Sequence, residues 1–317
     1  LNDTTVDPQT PPARLKLFLA LSRTPHGLLD MATPAMAALL WLGVFPPPTI
    51  VFLGLVTAFA GYTAVYALND LIDYRVDKER VRLGYLRAGE NYLDDVLIRH
   101  PMAHGLLSFR QGLFWTLGWG VVAVVGAFLL NPVCVVIFLC GCLLEVAYCL
   151  LLKVSHLRTV VSGGVKTTGA IAAVFAVDAA PDPVFLLFLF SWLFFWEIGA
   201  QNIPHDWADI KEDRRLHSRT IPVRFGPEGA THIILVSVIT AYIISISTFY
   251  FAKTAYELPF ILAVGCGGVF LLLGPAAALY KAKHRQNAMA LFNKASYYPL
   301  IVLAAVMLKL IFSYLRQ

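Results

Sequence analysis

The chain is 317 residues long, 58% hydrophobic and only 14% charged, with a mean hydropathy of +0.68. These values exclude an ordinary soluble globular protein and point to a membrane protein built of helices. The net charge of +5 is explained by membrane topology, so nucleic acid is not an expected partner.

Residues 1–11 are polar and Pro-containing and read as a loose tail. Residues 12–23 read as a short amphipathic helix at the membrane interface, so 1–25 form a tail and interfacial helix ahead of one domain over 26–317. A bilayer span needs about 20 apolar residues. Nine stretches qualify, at 28–46, 49–69, 113–130, 133–152, 158–180, 183–203, 230–251, 258–280 and 296–315. The expected fold is all-α and polytopic, because in lipid only helices or closed barrels satisfy the backbone. Most of the 25 Lys and Arg fall before the first span and in the loops that follow even-numbered spans. By the positive-inside rule those loops and the N-terminus are cytoplasmic and the C-terminus is on the other side.

The second span ends in Asn69-Asp70-Leu-Ile-Asp73-Tyr-Arg75-Val-Asp77. On a helix the three Asp share a sector roughly 60° wide. The loop over 78–110 is long and charged; it holds Asp94-Asp95 and Arg99-His100-Pro101. It reads either as a lid or anion-binding segment or as a solvated connector. The fourth span closes with Glu145, Tyr148 and Lys153, and the fifth opens with Ser162-Gly163-Gly164 and Lys166. Lys166 reads either as half of a structural ion pair or, with Glu197, as a contact to the polar end of a ligand. The sixth span is aromatic (Phe185, Phe188, Phe190, Trp192, Phe194, Phe195, Trp196) and runs through Glu197, Asn202 and His205 into Asp206, Asp209 and Asp213. This is the acidic spacing of the first stretch again. The last three spans read as scaffold, and the five Cys as small buried apolar residues. The eight His show no ligand spacing, and His205, beside Asp206, is the one placed to touch a site.

Three carboxylates on one helical face repel one another unless a cation shares them. Two such faces at one end of a membrane domain suggest Mg²⁺ bound to a polyanion, most plausibly a diphosphate on an apolar chain. Asn69, Asp70, Asp73, Asp206 and Asp209 are the candidate metal ligands, with Asp77 and Asp213 acting directly or through water. Asp77, Asp213 and Tyr148 are the candidate catalytic residues, Tyr148 as an aromatic face for a carbocation. Lys153, Arg75, Arg99, Lys211, Arg214 and Asn202 are the candidate substrate-binding residues. Tyr62, Tyr66 and the sixth-span aromatics are candidate cavity walls.

At these residues the chain resembles the UbiA superfamily of intramembrane prenyltransferases. Its two patterns, Asn-Asp-x-x-Asp-x-x-x-Asp and Asp-x-x-Asp-x-x-x-Asp, are met by Asn69 to Asp77 and Asp206 to Asp213. Tyr148 with Lys153, and the Thr-Ile-Pro-Val-Arg-Phe-Gly run from Thr220 to Gly226, resemble further family features. The resemblance implies a ring of helices around a cavity open to lipid and Mg²⁺-dependent transfer of a prenyl group from an isoprenyl diphosphate. An aromatic or quinone-precursor ring is then the expected acceptor, with acids of the second motif helping to remove its proton. The chain departs from the pattern in the loop over 78–110, where Arg99-His100-Pro101 comes late. The rival expectations are a membrane terpene cyclase and, outside enzymes, a transporter.

Overall fold

A computed structural model describes residues 11–84 and 97–315, and among them every regular element is helical. The tail over 1–10 and the Asp94-Asp95 segment lie outside the described residues. The helices are α1 (Pro11–Leu21), α2 (Thr24–Asp30), α3 (Ala32–Leu42), α4 (Pro48–Ile72), α5 (Tyr74–Arg82), α6 (Phe109–Leu130), α7 (Pro132–Leu150) and α8 (Arg158–Val177). They continue with α9 (Pro183–Trp196), α10 (Ile203–Ala208), α11 (Ile210–Arg215), α12 (Ile221–Thr248), α13 (Leu258–Gly268), α14 (Gly274–Lys281), α15 (Arg285–Ala295) and α16 (Tyr298–Leu315).

Eight of the spans are long and apolar enough to cross a bilayer among the described residues. The first predicted span is instead divided into α2 and α3 at Met31. The cause is local. Pro34 has no N–H for the Asp30 carbonyl, and the Thr33 hydroxyl donates to that carbonyl at 2.8 Å. The other boundaries follow from caps and prolines. Gly43 ends α3 with φ 70°, a left-handed cap that glycine adopts at little cost. Ser108 and Gln111 form a capping box on α6, and the Asn131 side chain accepts from Val133 N–H to open α7. Asp182 does the same for α9. Gly226, with φ 68°, kinks the segment that carries Pro227 inside α12.

α4 packs on α6, α7 on α8, α9 on α12, and α3 on both α8 and α16. The buried core lies where α3, α8, α9, α12 and α16 meet, around Met36, Leu40, Trp192, Trp196, Val238 and Tyr298. Phe52, Phe114, Leu143 and Phe270 are exposed, as expected of side chains facing lipid. α1 is docked rather than lying apart: Leu17 and Leu21 join Ala67, Leu71 and Met102, and Phe18 stacks on Trp115 at 4.8 Å.

Deep in the domain Lys166 pairs with Asp30 at 2.6 Å, the contact expected of a structural ion pair. Asp30 also accepts from Tyr66 OH, and His26 stands 3.7 Å away. Removing one partner of a buried pair strands the other charge. Lys166→Met is therefore expected to destabilise the protein by about 3–5 kcal/mol. The thermal midpoint in detergent should fall, and the Asp30→Asn/Lys166→Met double variant should restore most of it. An unchanged midpoint in the single variant would rule this out.

Candidate active site

Both acidic stretches arrive at one end of an apolar cavity of about 600 Å³ lined by residues of α2, α3, α4, α7, α8 and the α9–α10 segment. Val51 and Leu55 line it and are also exposed, so its apolar part reaches the lipid-facing surface beside α4. Asp70, Asp73 and Asp77 are buried at the junction of α4 and α5, where the helix turns at Asp73. Asp206 and Asp213 are buried around a second turn, at Asp209, between α10 and α11.

A widened turn over Glu197–Asn202 sets the phase of the second stretch. Pro204 cannot donate to the Ala200 carbonyl, and Gln201 Nε2 donates to it at 3.1 Å instead. Gln201 also donates to the Phe292 carbonyl at 3.2 Å and accepts from Ser296 at 3.1 Å, which braces the turn against α15. Asn202 then points its amide at Tyr148 OH (3.0 Å) and Ser162 Oγ (3.3 Å). Below it, Ser218 N–H donates to the Asp213 carbonyl at 2.9 Å, and Arg219 N–H donates to the Leu152 carbonyl at 2.7 Å. The second acidic stretch is thus tied to the loop after α7.

Arg80 joins the two stretches. Its guanidinium lies 3.2 Å from Asp77, 2.8 Å from Glu212 and 3.7 Å from Asp213. Arg158 pairs with Asp206 at 3.4 Å and sits 4.0 Å over the Tyr148 ring. Arg23 reaches Asn69 Oδ1 at 3.1 Å and Asp70 at 3.5 Å, while Asn69 Nδ2 donates to Glu145 at 2.6 Å. His100 Nδ1 lies 3.1 Å from Asp70 and 2.9 Å from Asp77, and the ring is buried.

These neighbours set the charge. Burial works against a charged His100, but Asp77 and Asp70 outweigh it and raise its pKa to about 9. Burial pushes Asp77 up, and the His100 and Arg80 charges more than reverse this, to about 2. Burial raises Asp73 and Asp213, and it brings Glu212 to about 7 against the opposing charge of Arg80.

Of the residues expected from sequence, Asn69, Asp73, Arg99, Tyr148, Asn202, Asp206, Asp209 and Asp213 line the cavity, with Asp70 and Asp77 bonded just behind. Tyr62, Tyr66, Glu145, Lys166, Glu197 and His205 line it as well. Lys153 does not: it is half-exposed and pairs with Glu79 at 3.2 Å. Arg75, Lys211 and Arg214 are exposed and outside the lining. The sixth-span aromatics are also absent from it. Phe185, Trp192 and Trp196 are core residues packed toward α3, α15 and α16, with Trp196 Nε1 donating to the Ala295 carbonyl at 3.2 Å. The residues that sequence reasoning missed are Arg23, Arg80, Arg158 and His100. His100 sat in the flagged Arg99-His100-Pro101 run, which was the available signal.

Among the described residues, buried Asp77 Oδ2, Asp206 Oδ2, Asp213 Oδ2 and Asn202 Oδ1 have no hydrogen-bond partner. Four orphaned oxygens among paired carboxylates fit a hard divalent cation, which takes oxygen ligands. At the sequence level no curated protein matches the chain. A UbiA homologue from Aeropyrum pernix K1 superposes with TM-score 0.70 at 16% identity, covering 89% of this chain and 97% of that one. One from Archaeoglobus fulgidus, bound to DMAPP and Mg²⁺, gives 0.69 at 17% identity over 93% and 99%. A digeranylgeranylglyceryl phosphate synthase gives 0.68 at 15% identity over 94% and 99%. The UbiA prenyltransferase family profile matches residues 31–300, most of the domain. This multi-pass membrane protein therefore belongs to the UbiA prenyltransferase family.

Proposed function

We propose that the protein transfers a prenyl group from an isoprenyl diphosphate to a hydrophobic acceptor, an aromatic or quinone-precursor ring, with Mg²⁺ as cofactor. The observation that carries this is the meeting of two carboxylate sets, clamped by Arg80, at the polar end of an apolar cavity. The ligands named for the Archaeoglobus fulgidus homologues, DMAPP or GPP with Mg²⁺, support it. Asn69, Asp70, Asp73 and Asp77 on one side and Asp206 and Asp209 on the other would hold the metal, which leaves Asp213 as a base. When bound, Mg²⁺ neutralises diphosphate oxygens and so makes diphosphate a competent leaving group.

The chain's own residues do the rest. Arg23, Arg80, Arg99 and Arg158 line the polar end and supply positive charge for the diphosphate, better placed for this than Lys153, Arg75, Lys211 or Arg214. The prenyl chain lies among Ala35, Ala38, Leu39, Ile50, Leu55 and Ala58, which keep water from the allylic carbon. The carbon–oxygen bond breaks with its electron pair leaving on diphosphate, and the acceptor carbon then bonds to the allylic cation. Tyr148, fixed by Asn202 and Arg158, offers an aromatic wall to that cation. Asp213 Oδ2 receives the proton that the acceptor loses. Arg23 beside Asn69 puts the N-terminal helices at the same end as both motifs, in keeping with a cytoplasmic N-terminus and active site and a C-terminus on the opposite side.

The test is incubation of the purified protein in lipid with isoprenyl diphosphates of graded length, with and without hydroxylated aromatic acids. Prenylated acceptor, identified by mass spectrometry, is the expected product. Cyclic hydrocarbon formed without acceptor would replace transfer by cyclisation, and intact diphosphate under all conditions would overturn the proposal.

A further inference from the structure

The two acidic patterns supply only oxygen donors, yet the first is completed in space by a nitrogen. Asp70, Asp77 and His100 are all buried, and one ligating atom from each falls within 4.8 Å of the others. His100 takes the left-handed backbone conformation, φ 51°, which is uncommon for a non-glycine residue. Its Nδ1 is 3.1 Å from Asp70 Oδ1 and 2.9 Å from Asp77 Oδ2. Bonds of about 2.1 Å meeting at right angles put neighbouring ligand atoms about 3.0 Å apart. Both separations match such an edge. The Asp70 contact is a hydrogen bond, but Asp77 Oδ2 has no partner of hydrogen-bonding geometry although it is buried beside the ring. One ion facing all three atoms would serve both oxygens and the ring nitrogen together.

We infer that His100 is a metal ligand and that the first acidic stretch takes a divalent transition-metal ion of the Mn²⁺–Fe²⁺ class in preference to Mg²⁺. The inference rests on the functional reading above and adds to it the chemistry of one of its ions. Mg²⁺ takes oxygen ligands almost alone, whereas first-row transition ions accept imidazole beside carboxylates. The ion replaces the ring proton that the carboxylates otherwise share. The second stretch contributes the carboxylates of Asp206 and Asp209, for which Mg²⁺ remains the proposed ion.

Mn²⁺ is the right probe because it is the weakest binder of its series and is paramagnetic. The experiment is pulsed electron paramagnetic resonance on the full chain in lipid nanodiscs loaded with Mn²⁺. The expected result is nitrogen-14 modulation from one imidazole, kept in His26→Gln and His205→Gln and lost in His100→Ala and His100→Asn. Mn²⁺ affinity should fall at least about 10-fold in the His100 variants, with Mg²⁺ affinity changing less. The wild-type spectrum decides the matter even if a His100 variant fails to fold. Bound Mn²⁺ without nitrogen modulation, in protein that still transfers prenyl groups, overturns this inference and leaves the functional reading intact. No Mn²⁺ binding and no turnover with any divalent ion overturns both.

Discussion

Asp206→Ala is expected to lower prenyl transfer at least about 10³-fold, because charge stabilisation by a fixed site carries most of such a reaction. Asp206 is buried, takes Arg158 at 3.4 Å through one oxygen and leaves the other without a hydrogen-bond partner among the described residues. Its removal takes away a proposed metal ligand and frees Arg158 to tilt from Tyr148. Asp70→Ala should match it, since Asp70 anchors both His100 and Arg23. Asp206→Asn keeps the volume and should be equally inactive, which separates loss of charge from loss of packing. Asp178→Ala is the control. That residue pairs with Lys253 at 2.5 Å and accepts from Trp41 Nε1 at 3.1 Å, away from both acidic stretches. Turnover should survive there. Diphosphate release measured on protein that elutes as wild type decides it, and a wild-type rate in Asp206→Asn would rule out the assigned role.

The membrane class, eight of the nine span positions and the meeting of the two motifs were legible because hydropathy and Asp spacing are properties of the chain itself. What was not legible depends on direction. Lys153 and Arg158 are five residues apart, and composition makes them equivalent cations. α7 ends at Leu150 and α8 begins at Arg158, so Arg158 is held inward on the first turn of a helix while Lys153 lies on the exposed turn between. The sixth-span aromatics failed for a related reason: cavity, core and lipid are all apolar, so periodicity cannot tell which of them a Phe faces. Pro204 and Pro34 did carry readable signals. Each removes an N–H from a span and leaves a carbonyl that a neighbouring side chain then takes up. His100 lay in the Arg99-His100-Pro101 run, but its partner was hidden, since it meets Asp70 only across the long loop.

Arg80→Ala is expected to lower kcat/KM by about 10²-fold without removing any ligand or substrate contact proposed for the motifs' carboxylates, because a small misplacement of a reacting constellation has that effect. Arg80 touches both stretches, with Asp77 on one side and Glu212 and Asp213 on the other. Without it three carboxyl groups face one another, and burial already holds Asp213 above its usual range and Glu212 at about 7. Their mutual repulsion then opens the clamp. Arg80→Lys restores the charge but not the planar fork that spans two helices, so its activity should lie between the other two. The divalent-ion concentration for half-maximal rate should rise in Arg80→Ala and partly return in Arg80→Lys, a shift that loss of a diphosphate contact alone would not cause. Added stability loss is expected as well, since Asp77 loses the counter-charge at 3.2 Å and keeps His100 at 2.9 Å. If Arg80→Ala turns over at the wild-type rate with the same divalent-ion dependence, the two acidic stretches are held together by something other than this guanidinium.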